Sequence, residues 1–97
     1  PLPRYPHVER DLSILVETNC SGDDIKHLIS RLGHDIINSV ILFDLYRGES
    51  IPDGYQSMAF RIRYRSEDRT LTDAEVQEVH SHVIESLSKA FGASIRD

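Results

Sequence analysis

Three arginines at alternate positions, Arg61, Arg63 and Arg65, close a stretch from Tyr55 that contains no acid. On a β-strand alternate side chains leave the same face, so this spacing lines up three guanidinium groups that can meet phosphate or lie flat against an aromatic plane. Asp44 and Tyr46 have the same alternate spacing. A phenol ring beside cationic forks, with a carboxylate to accept from amino groups, is chemistry that stacks and reads unpaired nucleic-acid bases. The same residues also describe an exposed sheet face kept in solution by arginine, and residue types alone leave both readings open.

Other chemistries find less support. His80 and His82 stand two apart on a predicted helix and point in different directions, while His7, His27 and His34 have no cysteine partners at ligand spacing, so no metal site is expected. Cys20 lies just before a helix N-terminus, where a thiol pKa can fall, but with no Cys-x-x-Cys motif and no base nearby in sequence it reads as an ordinary loop thiol. Glu67, Asp68, Asp73, Glu75, Glu78 and Glu85 flank or line the solvent side of an amphipathic helix rather than forming a catalytic pair. The segment Asn19-Cys20-Ser21-Gly22 has too few glycines to cradle a phosphate. No catalytic residue is expected.

The elements that must position the arginines and the Asp-x-Tyr pair follow from periodicity. Residues 1–10, with three of the four prolines, read as an extended arm, and the domain proper as residues 11–97. Leu12, Ile14 and Val16 alternate with polar residues, predicting a strand over 11–17. Ser21 offers an N-cap and Asp23 and Asp24 suit the positive helix end; Ile25, Leu28, Ile29 and Leu32 then recur at helical spacing until Gly33. A second strand spans 39–47, its Ile41, Phe43 and Leu45 on one parity and Val40, Leu42, Asp44 and Tyr46 on the other, with the first half buried on both faces. A third strand spans 55–65 with Met58, Phe60, Ile62 and Tyr64 turned to one side. Thr72 and Glu75 form a capping box, and Val76, Val79, Val83, Ile84, Leu87, Ala90 and Phe91 give a helical stripe ending at Gly92. Residues 93–96 supply a short closing strand.

The order β-α-β-β-α-β predicts an α+β, ferredoxin-like fold: a four-stranded antiparallel sheet with two helices on one face and the other face open. The second and third strands are then neighbours, so Asp44, Tyr46, Ser57, Ala59, Arg61 and Arg63 form one contiguous patch on the open face. Length and composition agree with a single domain. The chain has 97 residues and 11.1 kDa, too few for a barrel or a solenoid, and no apolar run approaches a membrane span. One cysteine excludes an internal disulfide and suggests a reducing compartment. A start at Pro1-Leu2-Pro3 without Met reads as a processed chain or a segment of a longer one. Eleven basic against sixteen acidic residues give a net charge of -5, which argues against a non-specific grip on nucleic acid. The acid is unevenly placed, however: residues 66–92 carry six acids against two bases, and residues 55–65 carry three arginines and no acid.

The segments RYPHVERDLSILV, VILFDLYRGESIPDGYQSMAFRIRYR and DRTLTDAEV resemble the ferredoxin-fold anticodon-binding domain at the C-terminus of phenylalanine-tRNA ligase, in order and over essentially the whole chain. The Pro6-x-Val8-x-Arg10-Asp11 junction, the run Phe43 to Gly48 and the run Thr70 to Asp73 carry the likeness together. The resemblance implies a non-catalytic module of a cytoplasmic ligase that uses ATP and magnesium elsewhere. It implies as partners the anticodon of the phenylalanine tRNA and, in the bacterial enzyme, an alpha subunit within an (αβ)2 assembly; a single-chain organellar parent is the other form. By resemblance Tyr46 stacks on the first anticodon base, Asp44 bonds to it, and Ser57 faces the anticodon bases. Glu49 and Gln56 stand where the family commonly carries lysine, which implies a weaker hold on backbone phosphate. Two readings from other classes remain: a regulatory amino-acid-binding module of the same strand order, and a structural module whose open face docks on the rest of a parent chain. An RNA-recognition motif of the usual kind does not fit, because Ser57-Met58-Ala59-Phe60 lacks its glycine-aromatic run.

Overall fold

Alternation starts earlier than residue 11: β1 runs Val8–Glu17, so three residues of the expected arm already pair as strand. This comes from a computed structural model that describes residues 5–32 and 34–96; the first residues of the arm, the expected helix stop at Gly33, and Asp97 lie outside them. The other elements are α1 Gly22–Arg31, β2 Ile37–Tyr46, β3 Tyr55–Tyr64, α2 Asp73–Phe91 and β4 Ser94–Ile95. The sheet is four-stranded and antiparallel in the order β2-β3-β1-β4, the ferredoxin-like arrangement that the element order predicts.

Both helices begin as the sequence indicates. The Ser21 side chain accepts from the backbone N–H of Asp23 and of Asp24, at 3.1 and 3.4 Å. Thr72 accepts from the N–H of Glu75 at 3.1 Å and donates to the Glu75 carboxylate at 3.3 Å, linking the two capping-box side chains. Gly92 ends α2 with φ 65°, a left-handed conformation that favours glycine.

Leu12, Ile14 and Val16 of β1 and Met58, Phe60, Ile62 and Tyr64 of β3 share one core with Ile25 and Ile29 of α1 and Val76, Val83 and Leu87 of α2. Both helices therefore cover the same sheet face, and the chain closes this core with its own elements. Two details depart from the helical pattern. Ala90 is exposed, and His80, one turn after Val76, occupies the buried stripe in its place.

β2 departs most from simple alternation. Ile41 pairs with Arg61 and Leu42 with Phe60, but Asp44 pairs with Ala59, so Phe43 is an extra residue in a β-bulge. A bulge exchanges the two parities of a strand. Ile41 therefore lies on the same open face as Asp44 and Tyr46 and is 39% exposed, not buried on a second packed face.

Candidate nucleic-acid interface

Antiparallel register puts Tyr46 opposite Ser57 and Asp44 opposite Ala59, while β1 brings Ser13 to Ala59, Asp11 to Arg61 and Glu9 to Arg63 from the other side. All six residues expected on the open face are thus brought together. They are not equally accessible. Tyr46 is 41% exposed, whereas Ser57 and Ala59, in the middle of the sheet, are buried.

Arg61 and Arg63 are not free cationic forks. Arg61 donates through Nε and Nη2 to both oxygens of Asp11, at 2.9 and 3.1 Å, and Arg63 donates through Nε to Glu9 at 2.6 Å. The hydrogen bond with Arg61 holds the Asp11 carboxyl below its ordinary value and, reciprocally, raises Arg61. The stretch 55–65 has no acid of its own, but the adjacent strand supplies one opposite each of these arginines. Their expected role as phosphate or base-plane partners therefore carries a constraint the sequence did not show: each guanidinium is already held by a carboxylate of β1 and keeps its flat face and its remaining N–H groups. Arg65, just beyond β3, lies 4.0 Å from Glu67.

One residue of this face was not singled out in the sequence. Arg96 donates its backbone N–H to Ser13 at 2.9 Å, continuing the pairing beside β1, and its guanidinium donates to the hydroxyls of Ser57 at 3.2 Å and Ser50 at 3.3 Å. The same guanidinium lies 5.7 Å from the centroid of the Tyr46 ring. Among the described residues its guanidinium bonds only to neutral hydroxyls, which places a positive charge beside the exposed phenol. The available signal was topological: in a βαββαβ sheet the last strand pairs with the first, which delivers the end of the chain to this face.

Tyr46 is held from behind as well. A Cβ on Gly48 would collide with the Tyr46 hydroxyl and stand 2.6 Å from its Cζ, so the ring occupies space that only glycine leaves. Gln56 has a different task from the one its position suggested. It is buried, accepts from Arg47 at 3.1 and 3.0 Å, and donates to the Cys20 carbonyl at 3.1 Å, tying β3 to the turn before α1. Its amide is consumed internally, and it is not a surface position from which phosphate is gripped.

The groups set aside in the sequence have structural surroundings. Burial pushes the Cys20 thiol up, with Glu17 and Asp24 adding to the effect, the reverse of activation. Glu75 pairs with Arg69 at 2.5 Å and Glu85 with Lys89 at 2.8 Å along the solvent side of α2. His80 and His82 do point apart: His80 meets the Tyr64 hydroxyl at 2.8 Å in the core, and His82 meets His34 at 2.6 Å outside it. Among the described residues no three of His, Cys, Asp and Glu are grouped to hold a metal ion.

An exposed tyrosine flanked by a carboxylate, a hydroxyl and an arginine on an uncovered sheet suits planar, polar ligands. Comparison with known proteins gives the family. The ferredoxin-fold anticodon binding domain matches residues 3–96 as a family. The chain belongs to this family. Among relatives of the anticodon-binding domain, the phenylalanine-tRNA ligase beta subunit of Geobacillus kaustophilus is 43% identical over 96 residues, covering 99% of this chain and 12% of that protein. Those of Trichormus variabilis (44% over 96 residues, 99% and 12%) and Syntrophotalea carbinolica (41% over 95 residues, 98% and 12%) are similar to it in the same way. This anticodon-binding domain therefore spans about one eighth of the length of the curated relatives it matches. Among the described residues no helix is long and apolar enough to cross a membrane.

Proposed function

We propose that the open sheet face reads the anticodon of phenylalanine tRNA on behalf of a phenylalanine-tRNA ligase, and that the domain itself performs no chemistry. The observation that carries this reading is the exposed Tyr46 ring, set between Gly48 and the Arg96 guanidinium and on the same face as Asp44 and Ser57. Tyr46 is the stacking platform for the first anticodon base, and Asp44 accepts from that base. The Ser57 hydroxyl, which accepts from Arg96, keeps its own proton to donate. Arg96 supplies charge beside the stack, where a cation-flanked aromatic ring holds a base sequence-tolerantly and the carboxylate supplies the selectivity.

The relatives' description as beta subunits supports an alpha subunit as partner; the reading takes the assembly as (αβ)2 and the enzyme as cytoplasmic. ATP and magnesium belong in this reading to the catalytic parts of that enzyme.

Titration of the 97-residue chain with the anticodon stem-loop of phenylalanine tRNA, at fixed salt, tests this directly. Tyr46→Ala is expected to weaken binding by about 1 to 3 kcal/mol. Asp44→Ala is expected to narrow the discrimination against stem-loops changed at the first anticodon base. Unchanged affinity in the first variant and unchanged discrimination in the second would overturn the assignment. Heat released with free amino acids, and none with the stem-loop, would favour a regulatory amino-acid-binding module instead.

A further inference from the structure

The bulge in β2 adds an aromatic ring to the open face beside the arginines. Phe43, the extra residue, is 47% exposed, and the Arg61 guanidinium lies 4.8 Å from its ring centroid. Two aromatic-guanidinium pairs therefore share one face, Tyr46 with Arg96 and Phe43 with Arg61. We propose that Phe43 and Arg61 form a second base-stacking platform, which takes a base of the anticodon other than the one on Tyr46. The inference rests on the anticodon reading of the same face.

Three observations argue for it. Arg61 is held by two bonds to Asp11, through Nε and Nη2, which fix the plane of its guanidinium; a plane already fixed loses little freedom when a base settles on it. The exposed Phe43 ring is apolar surface that the fold itself does not bury, as a stacking site requires. The spacing also fits. Phe43 and Tyr46 are separated by roughly 8 to 10 Å of strand, well beyond the ~3.4 Å rise of a stacked nucleic-acid strand. Bases on the two platforms must therefore be splayed apart, the state in which single-stranded loops are read. Between the platforms the sheet carries Asp44, with only the small Ala59 and Ser13 beside it, leaving room for the chain to pass.

The experiment is a cycle between protein and RNA substitutions in the same stem-loop titration. Phe43→Ala is expected to weaken binding at least about fivefold, Phe43→Leu to behave like alanine because it lacks the ring, and Phe43→Tyr to bind as the parent chain does. Stem-loops made abasic at one anticodon position at a time then assign each ring to its base. The Phe43→Ala penalty is expected to vanish at a position different from the one that abolishes the Tyr46→Ala penalty. Thermal melts of each variant check that an exposed ring was removed without loss of the fold. If Tyr46→Ala weakens binding while Phe43→Ala does not, or if one abasic position erases both penalties, the second platform is overturned and the anticodon reading stands. If neither variant affects binding, the anticodon reading itself falls, and a protein-docking role for the apolar part of the face takes its place.

Discussion

Tyr64 and His80 lie 2.8 Å apart in the core, and their hydrogen bond depends on the charge state of both. Burial, with a smaller push from the Arg10 charge, lowers the His80 pKa below 6.5, and burial pushes the Tyr64 phenol up to about 12. His80 Nδ1 can accept the phenol proton only while it is itself unprotonated. Between the depressed folded value and 6.5 the unfolded chain binds more protons than the folded one, so stability is full above pH 6.5 and falls as the pH drops below it. At the alkaline end Tyr64 keeps its contribution up to 10 and loses it as the pH rises toward about 12. The depressed carboxyls of Asp11, Glu75 and Glu85 lose theirs only below ordinary values of 3.8 and 4.5, outside the histidine window. Denaturation of the chain from about pH 8 to about pH 5 is expected to show a decline that is shallower in the Tyr64→Phe/His80→Leu double variant. Equal slopes would show that His80 is not its source. The bond from His80 to Tyr64 escaped the sequence reading because a histidine on an apolar stripe carries no mark of its partner, which sits on another element.

The six elements were legible because their signals are local: alternation in the strands, Ser21 and Thr72 as caps, and Gly92 as a stop. The β2 bulge was not, since an inserted residue leaves both parities looking regular on each side of it, and only the register with β3 reveals the exchange at Phe43. The charge partners of Arg61 and Arg63 were hidden in the same way, because Asp11 and Glu9 are 50 and 54 positions away in sequence. The strand end at Arg47 and Gly48 illustrates how an element fixes a functional side chain. Gly48 is required by proximity to the Tyr46 ring, with no positive φ to demand glycine. A methyl group there meets the far end of a half-exposed side chain, which can swing away without disturbing the core. Gly48→Ala is therefore expected to leave the melting temperature nearly unchanged while weakening stem-loop binding to an extent approaching Tyr46→Ala. A variant that binds normally would show that the ring does not need its present position. One that unfolds would show that the glycine serves the fold.

Across the whole molecule the net charge of -5 takes on a more definite meaning once the pairs are assigned. The apparent cationic row on β3 is largely neutralised from β1, and the acids of α2 lie on the helix-covered side of the sheet, away from the open face. The guanidinium found beside the Tyr46 ring is that of Arg96, bonded to two serine hydroxyls. Binding led by stacking and base contacts, with one or two phosphates neutralised, depends weakly on salt. At about -0.7 per phosphate on a single strand, the logarithm of the affinity of this chain for the stem-loop should fall with the logarithm of salt at a slope no steeper than about -2. A slope near about -3 would mean that Arg61 and Arg63 leave their carboxylates to grip the backbone as well. The complementary variant decides the cause. Glu9→Gln removes the partner of Arg63 at the far end of the patch from Tyr46 and frees one guanidinium. It is expected to raise affinity at low salt and to steepen the slope by about 0.7, while base discrimination through Asp44 stays as it was. If Glu9→Gln changes neither affinity nor slope, the phosphate backbone does not pass over Arg63, and the strand-edge acids of β1 act in solubility alone.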